Sequence, residues 1–398
     1  MTSVQYREIE GRSAGYAALL GVLGILVLGG LAAAWTMEHQ GHFITGMSNR
    51  IVWGTPHVFA VFLIVAASGA LNVASIASVF GRELYKPLAR LSGLLALTLL
   101  AGGLAVLVLD LGRPERLVVA MTHYNFKSIF AWNIFLYTGF FAVVALYLWT
   151  MFERRMNRHT KPAGLLAFVW RLVLTTGTGS IFGFLVAREP YNSAILAPLF
   201  IIMSFSFGLA IFVLVLMAAC RWTGRALGDA VVDRLRTLLG VFAAAVLYFV
   251  AVQHLTNLYI ARQHDVERFF LLQGGVYTVL FWGGQVLVGG LLPLALLFGA
   301  RSRGSLVLAS GAVILGGLAQ LYVLIIGGQA YPQLMFPGKE VRSSFFDGVV
   351  AAYAPSLPEV ALGVGGVALA LALTAVALKV LPFLPRSLAD GEVAPAKA

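Results

Sequence analysis

Ten long apolar runs constrain this chain more than any other feature. They lie near residues 15–35, 52–80, 91–111, 130–150, 162–186, 195–219, 238–258, 275–298, 304–326 and 358–381. About 20 consecutive apolar residues are what a helix needs to cross the hydrocarbon of a bilayer. A membrane barrel would instead show strands of alternating polarity, about half that length, which these runs do not. The expected fold is therefore an all-α integral membrane protein of about ten transmembrane helices. Of 398 residues, 60% are hydrophobic and only 11% charged, which excludes an ordinary soluble enzyme. The first run follows the mixed-charge segment Arg7, Glu8, Glu10, Arg12 and is too long for the apolar core of a signal peptide, so it is expected to stay in the protein.

The net charge of +11 does not point to nucleic acid, because the basic residues sit in short turns between apolar runs. There they act as topology signals. The termini and the even-numbered turns, which hold Arg82, Lys86, Arg154, Arg155, Arg158, Arg221, Arg225 and Arg234 among others, carry twice the lysines and arginines of the opposite loops. That bias predicts both termini in the cytoplasm and the longer loops outside. Two of those loops, 112–128 and 327–358, mix aromatics, prolines and charges in a way suited to a membrane surface or a docked protein. One unit spanning residues 1–386 is expected, with a first bundle over about 15–150, a second bundle with extra helices over about 162–381, and a disordered tail over 387–398.

Polar groups inside apolar runs are costly unless they pair or line a cavity, so they mark the candidate chemistry. Asp110, in "LAVLVLDLGRPER", sits at a helix C-terminus, where the macrodipole disfavours a carboxylate. Arg113, three residues on, is the expected compensating charge. The pair reads either as a structural clasp or as a carboxylate of tuned pKa exchanging protons with a ligand. His57 lies at a similar depth in the second run and can pass one proton near neutral pH, as oxidation or reduction of a quinol headgroup requires. His123, Tyr124, Asn125, Trp132 and Asn133 supply donors and rings that could wall a pocket for a flat, polar-edged ligand. In the second half, Arg171, Ser180, His254 and Gln285 could form a partial proton path, although helix-packing hydrogen bonds would explain them as well. One cysteine, Cys220, leaves this chain unable to hold an iron–sulfur cluster or a thiolate metal site by itself. The two in-run histidines, both near one boundary, exclude a transmembrane pair of haems. No metal, haem or iron–sulfur cluster is expected in the protein.

The segments "VWGTPHVFAVFLIVAASGALNVASIASVFGRELYKPLARLSGLLAL", "LVLDLGRPERL" and "NFKSIFAWNIFLYTGFF" resemble the NrfD/PsrC family of polysulfide-reductase-like membrane subunits, over most of the chain. Within that family the longer, DsrP-like branch, associated with sulfur metabolism, is the most similar. The resemblance implies two four-helix bundles plus extra helices, and a quinone site, for menaquinone or ubiquinone, near the outer face of the first bundle. It also implies an extracytoplasmic ferredoxin-like iron–sulfur partner, further redox subunits and a bacterial cytoplasmic membrane as the setting. Carried over by position, Asp110 matches the family's carboxylate at the end of span three, while Trp53, Asn125 and Trp132 match its pocket wall. The fifth run, "TTGTGSIFGF", lacks the histidine of one branch and leaves Thr178 or Ser180 in its place. A scaffold without quinone chemistry and a secondary transporter are the alternatives.

Overall fold

A computed structural model describes residues 4–333 and 348–393. Among them are ten helices long and apolar enough to span a membrane: α1 Ala14–Gln40, α2 Thr55–Ser78, α3 Glu83–Leu109, α4 Ile129–Phe152, α5 Arg154–Gly183, α6 Leu196–Thr223, α7 Asp229–Tyr259, α8 Val276–Gly299, α9 Arg303–Ala330 and α10 Leu357–Val380. The basic residues Lys339 and Arg342 of the last long loop lie outside the described residues, as does the tail after residue 393.

Local chemistry sets the helix ends. Ser13 and Ser302 cap α1 and α9 by accepting a backbone N–H of the first turn, and Ser356 with Glu359 forms a reciprocal capping box at the start of α10. Gly54 followed by Pro56 starts α2, where proline's missing N–H costs nothing. Gly112, at φ +71°, takes the backbone out of α3 through a left-handed turn that a side chain would strain.

The helices form two four-helix groups. Helices α2 to α5 close one bundle and α6 to α9 the other, with α2 and α5 packed on α6 between them, while α1 and α10 pair along the outside of α2 and α3. The expected boundary at residue 150 therefore moves: α5 completes the first bundle and α1 lies outside it. Lipid tails give no hydrophobic drive for helix association, so close backbone approach and internal hydrogen bonds carry it. At the α2–α6 crossing a methyl on Gly69 would overlap the Ser204 carbonyl, and Gly208 faces the backbone of Gly69 and Ala70. Elsewhere Gly102 packs on Gly366 and Gly316 on Gly289 to meet the same need.

Both ends of the protein meet on one side. Strand β1, Tyr6–Arg7, pairs antiparallel with β2, Leu384–Pro385, and Arg225 donates to the carbonyls of Arg7, Glu8, Leu384 and Pro385. The tail expected to be disordered from residue 387 is packed over its described part. Leu388 is buried, bridges Leu227 and accepts from Gly228 N, while the Asp390 carboxylate accepts from the first amides of α7. Its acidic side chain finds the free N–H groups of a helix start, which a composition-based reading of a short tail does not register.

Candidate functional site

Where α1, α2 and α3 end on the face opposite the termini, three ionisable side chains converge. Asp110 immediately follows the last residue of α3, and its carboxylate is fully buried. His57, in the first turn of α2, places Nδ1 2.8 Å from Asp110 Oδ2. His42, in the short turn after α1, places Nε2 3.8 Å from Oδ1. The approach of both rings is ionic rather than aligned: His42 Nε2, His57 Nδ1 and both Asp110 oxygens are buried without a hydrogen-bond partner among the described residues. Burial alone would raise the Asp110 pKa, but the two imidazoles outweigh it and hold the carboxyl below its ordinary value. In return, attraction to Asp110 raises the pKa of His42, against the opposing effect of its partial burial.

Arg113 does not supply the expected compensation. It is exposed and forms no ion pair with Asp110 among the described residues. The helix ends at Leu109, and the left-handed turn at Gly112 removes residue 113 from the i, i+3 face that the sequence spacing assumed. His42 takes the place instead, with its ring against Gly112, where a Cβ would lie 3.3 Å from Cε1. The sequence held a weak signal for it, a histidine just past the Gly41 stop of α1. Nothing local tied that turn to the end of α3.

The wall residues expected from sequence separate into three groups. Trp53 stands beside His57, ring centroids 6.2 Å apart, and continues through Phe130 and Phe182. Tyr124 stacks on Phe135, Trp132 donates its indole N–H to the Phe126 carbonyl, and Asn125 accepts from Lys127 N. These three shape the turn into α4 and, among the described residues, have no hydrogen bond or ring contact with His57 or Asp110. Asn133 is a packing residue: buried, it donates to the Ile129 and Gly177 carbonyls and so ties α4 to α5.

Two residues without a local sequence signal hold the loop that carries Trp53. From α9, the buried Gln329 accepts from Val52 N and Trp53 N and donates to the Trp53 carbonyl, as a paired strand would. From α10, Glu359 accepts from Tyr353 Oη at 2.6 Å and from Gly46 N at 2.8 Å, and Tyr353 Oη in turn accepts from Thr55 N, the first free amide of α2. The loop is therefore fixed from both later helices, which preorganises His57 and Trp53.

The four second-half candidates do not form one continuous path. Arg171 is fully buried on α5, donates to Asn72 Oδ1 and lies 4.9 Å from the ring centroids of Phe168 and Phe205. Ser180 is buried further along α5. His254 and Gln285 lie elsewhere, in a cavity of the second bundle.

The family model described as "Polysulphide reductase, NrfD" matches residues 44–333, more than half of the protein. Three relatives are similar over most of their own length. The "Hdr-like menaquinol oxidoreductase integral membrane subunit" of Archaeoglobus fulgidus is 29% identical, over 96% of this sequence and 97% of its own. The "Menaquinone reductase, integral membrane subunit" of Nitratidesulfovibrio vulgaris is 23% identical, over 90% and 89%. "Protein NrfD" of Escherichia coli is 28% identical, over 71% of this sequence and 96% of its own.

Proposed function

The chain belongs to the NrfD polysulphide reductase family, and from that premise we propose that it is the quinone-interacting membrane subunit of a multi-subunit redox complex. The observation that carries the reading is the group of four buried polar atoms, on His42, His57 and Asp110, that have no aligned partner of their own among the described residues. Buried polar atoms are rarely left so, because each costs about 1–3 kcal/mol. A ring bearing hydroxyl or carbonyl groups would satisfy them, and Trp53 supplies a flat apolar wall beside His57. Two of the relatives are named for menaquinol or menaquinone, which supports the same ligand class.

In this reading a quinol hydroxyl faces the His57–Asp110 pair. As the quinol loses two electrons to become quinone, its two protons leave in turn through the His57 imidazole, which stands 2.8 Å from the Asp110 carboxylate. His42 stands on the other carboxylate oxygen and exchanges with the aqueous side. The electrons pass to an iron–sulfur cluster of an extracytoplasmic ferredoxin-like partner, since the protein has only one cysteine. Reduction of quinone reverses every step. The complex works in the cytoplasmic membrane, and sulfur-compound metabolism, as in the DsrP-like branch, is the setting we favour.

The test is quinol-dependent electron transfer by the assembled complex carrying His57→Ala or Asp110→Asn. A fall of about 10²-fold with assembly intact is expected, the usual loss when a positioned proton acceptor is removed. Unchanged turnover in both variants would leave an anchor without quinone chemistry.

A further inference from the structure

A second buried carboxylate–histidine pair lies in the other bundle, outside the site described above. Glu267, on the connection after α7, is 1% exposed. Its Oε2 is 2.6 Å from His254 Nδ1, and its Oε1 accepts from Asn257 Nδ2 at 2.8 Å. Because α7 and α2 cross in opposite senses, the end of α7 and the start of α2 share one side of the membrane, so this pair and Asp110 face the same side. Phe281 covers the His254 ring edge-on at 4.7 Å.

A cavity opens from this pair into the bundle. An outer chamber of about 40 Å³ touches His254, Asn257, Glu267, Gln285 and Gln320, and an inner one of about 10 Å³ shares Gln285 and Gln320 and reaches Ser206. That is room for roughly three waters and one water, and far too little for a quinone ring. Gln253, Gln285 and Gln320 come from three different helices, each more than nine-tenths buried. Among the described residues, none of their side-chain amides has a hydrogen-bond partner. In surroundings of hydrocarbon, three such amides on one cavity call for water. Two lining segments, Leu280–Leu291 and Val323–Gly327, are wound as π-helix, which widens a helix locally and recurs at functional positions.

We propose that this cavity is a water-filled proton-exchange site, with Glu267 and His254 as the groups that take up and release the proton and the three glutamines as the holders of the water. A proton delivered by cavity water is held on the Glu267 carboxyl or on the His254 imidazole and returns to the same water, with no change of oxidation state. Of the titratable groups among the described residues, only these two line the cavity. Asp265 and Arg268 on the same connection, Arg188 and Glu189 on the α5–α6 loop, and Tyr277 and Tyr322 on α8 and α9 are not part of its wall. The site stands independently of the quinone reading, since it shares no residue with it.

Carbodiimide labelling of the full-length protein in native membranes tests the proposal, because the reagent modifies protonated carboxyls in apolar surroundings. Labelled peptides are identified by mass spectrometry between about pH 5 and pH 9, a window with room on both sides of neutrality. Glu267 is expected to carry the adduct, at a rate that falls about tenfold per pH unit above the titration of the pair. His254→Gln should displace that pH profile, and Gln320→Leu, which leaves the pair intact, should slow labelling at every pH. A Glu267 that stays unlabelled across the range in the wild-type protein, or reacts at a rate independent of pH, overturns the proposal.

Discussion

Asp110 owes its behaviour to two histidines that reach it from the first turn of α2 and from the turn after α1. Because His42 has its pKa raised in the folded protein, its protonated form stabilises the fold fully below the unfolded value of about 6.5, and this contribution is lost as the pH rises through the folded value. Asp110 is the opposite case: its pKa is lowered, so its contribution is present above about 4 and lost as the pH falls through the folded value. The pair is therefore strongest between about pH 4 and 6.5. The difference in melting temperature between wild type and His42→Gln should be largest near pH 5 to 6 and should shrink by pH 8; a difference that does not vary with pH would show that the two charges are not coupled. Asp110 and His57 were legible in the sequence because each breaks an apolar run at the same depth. His42 was not, because it lies in a turn far in sequence from the carboxylate it meets.

Among the helices, positions were far more legible than partners. Runs of apolar residues place all ten membrane crossings, although α3, α5 and α7 begin eight or nine residues before their runs, and all ten runs look alike from the outside. That α5 joins the first bundle and α1 pairs with α10 depends on which small residues meet, such as Gly164 on Ser78 and Gly30 on Gly365. Spacing also misled at the end of α3, where the i, i+3 relation of Asp110 and Arg113 presumes a helix that Gly112 has already ended. The same turn seats His42, so Gly112→Ala should cost about 1–2 kcal/mol of stability for the left-handed backbone alone, and Gly112→Asn less. Thermal unfolding of the three proteins in one detergent measures this, and an alanine variant as stable as wild type would remove the turn from the account.

On the scale of the whole molecule, ten crossings and the β1–β2 pairing require both termini on one side. The excess of lysine and arginine on that side is the reason we propose that it faces the cytoplasm. A membrane-impermeant maleimide applied to intact cells should label Lys127→Cys and leave Glu10→Cys unlabelled, the native Cys220 being buried. The reverse pattern would invert the topology and carry the Asp110 site to the other face. With that site outside, the proposed quinone site at the end of the first bundle and the proposed hydrated pocket of the second open on the same face.

The most direct test of the quinone reading is binding itself. Titration of the purified wild-type protein with a fluorescent quinol analogue should give saturable quenching, weakened at least about tenfold in Asp110→Asn, the loss that about 1.4 kcal/mol of hydrogen-bonding represents. Saturable binding of equal affinity in wild type and Asp110→Asn would contradict the account and place the quinone elsewhere.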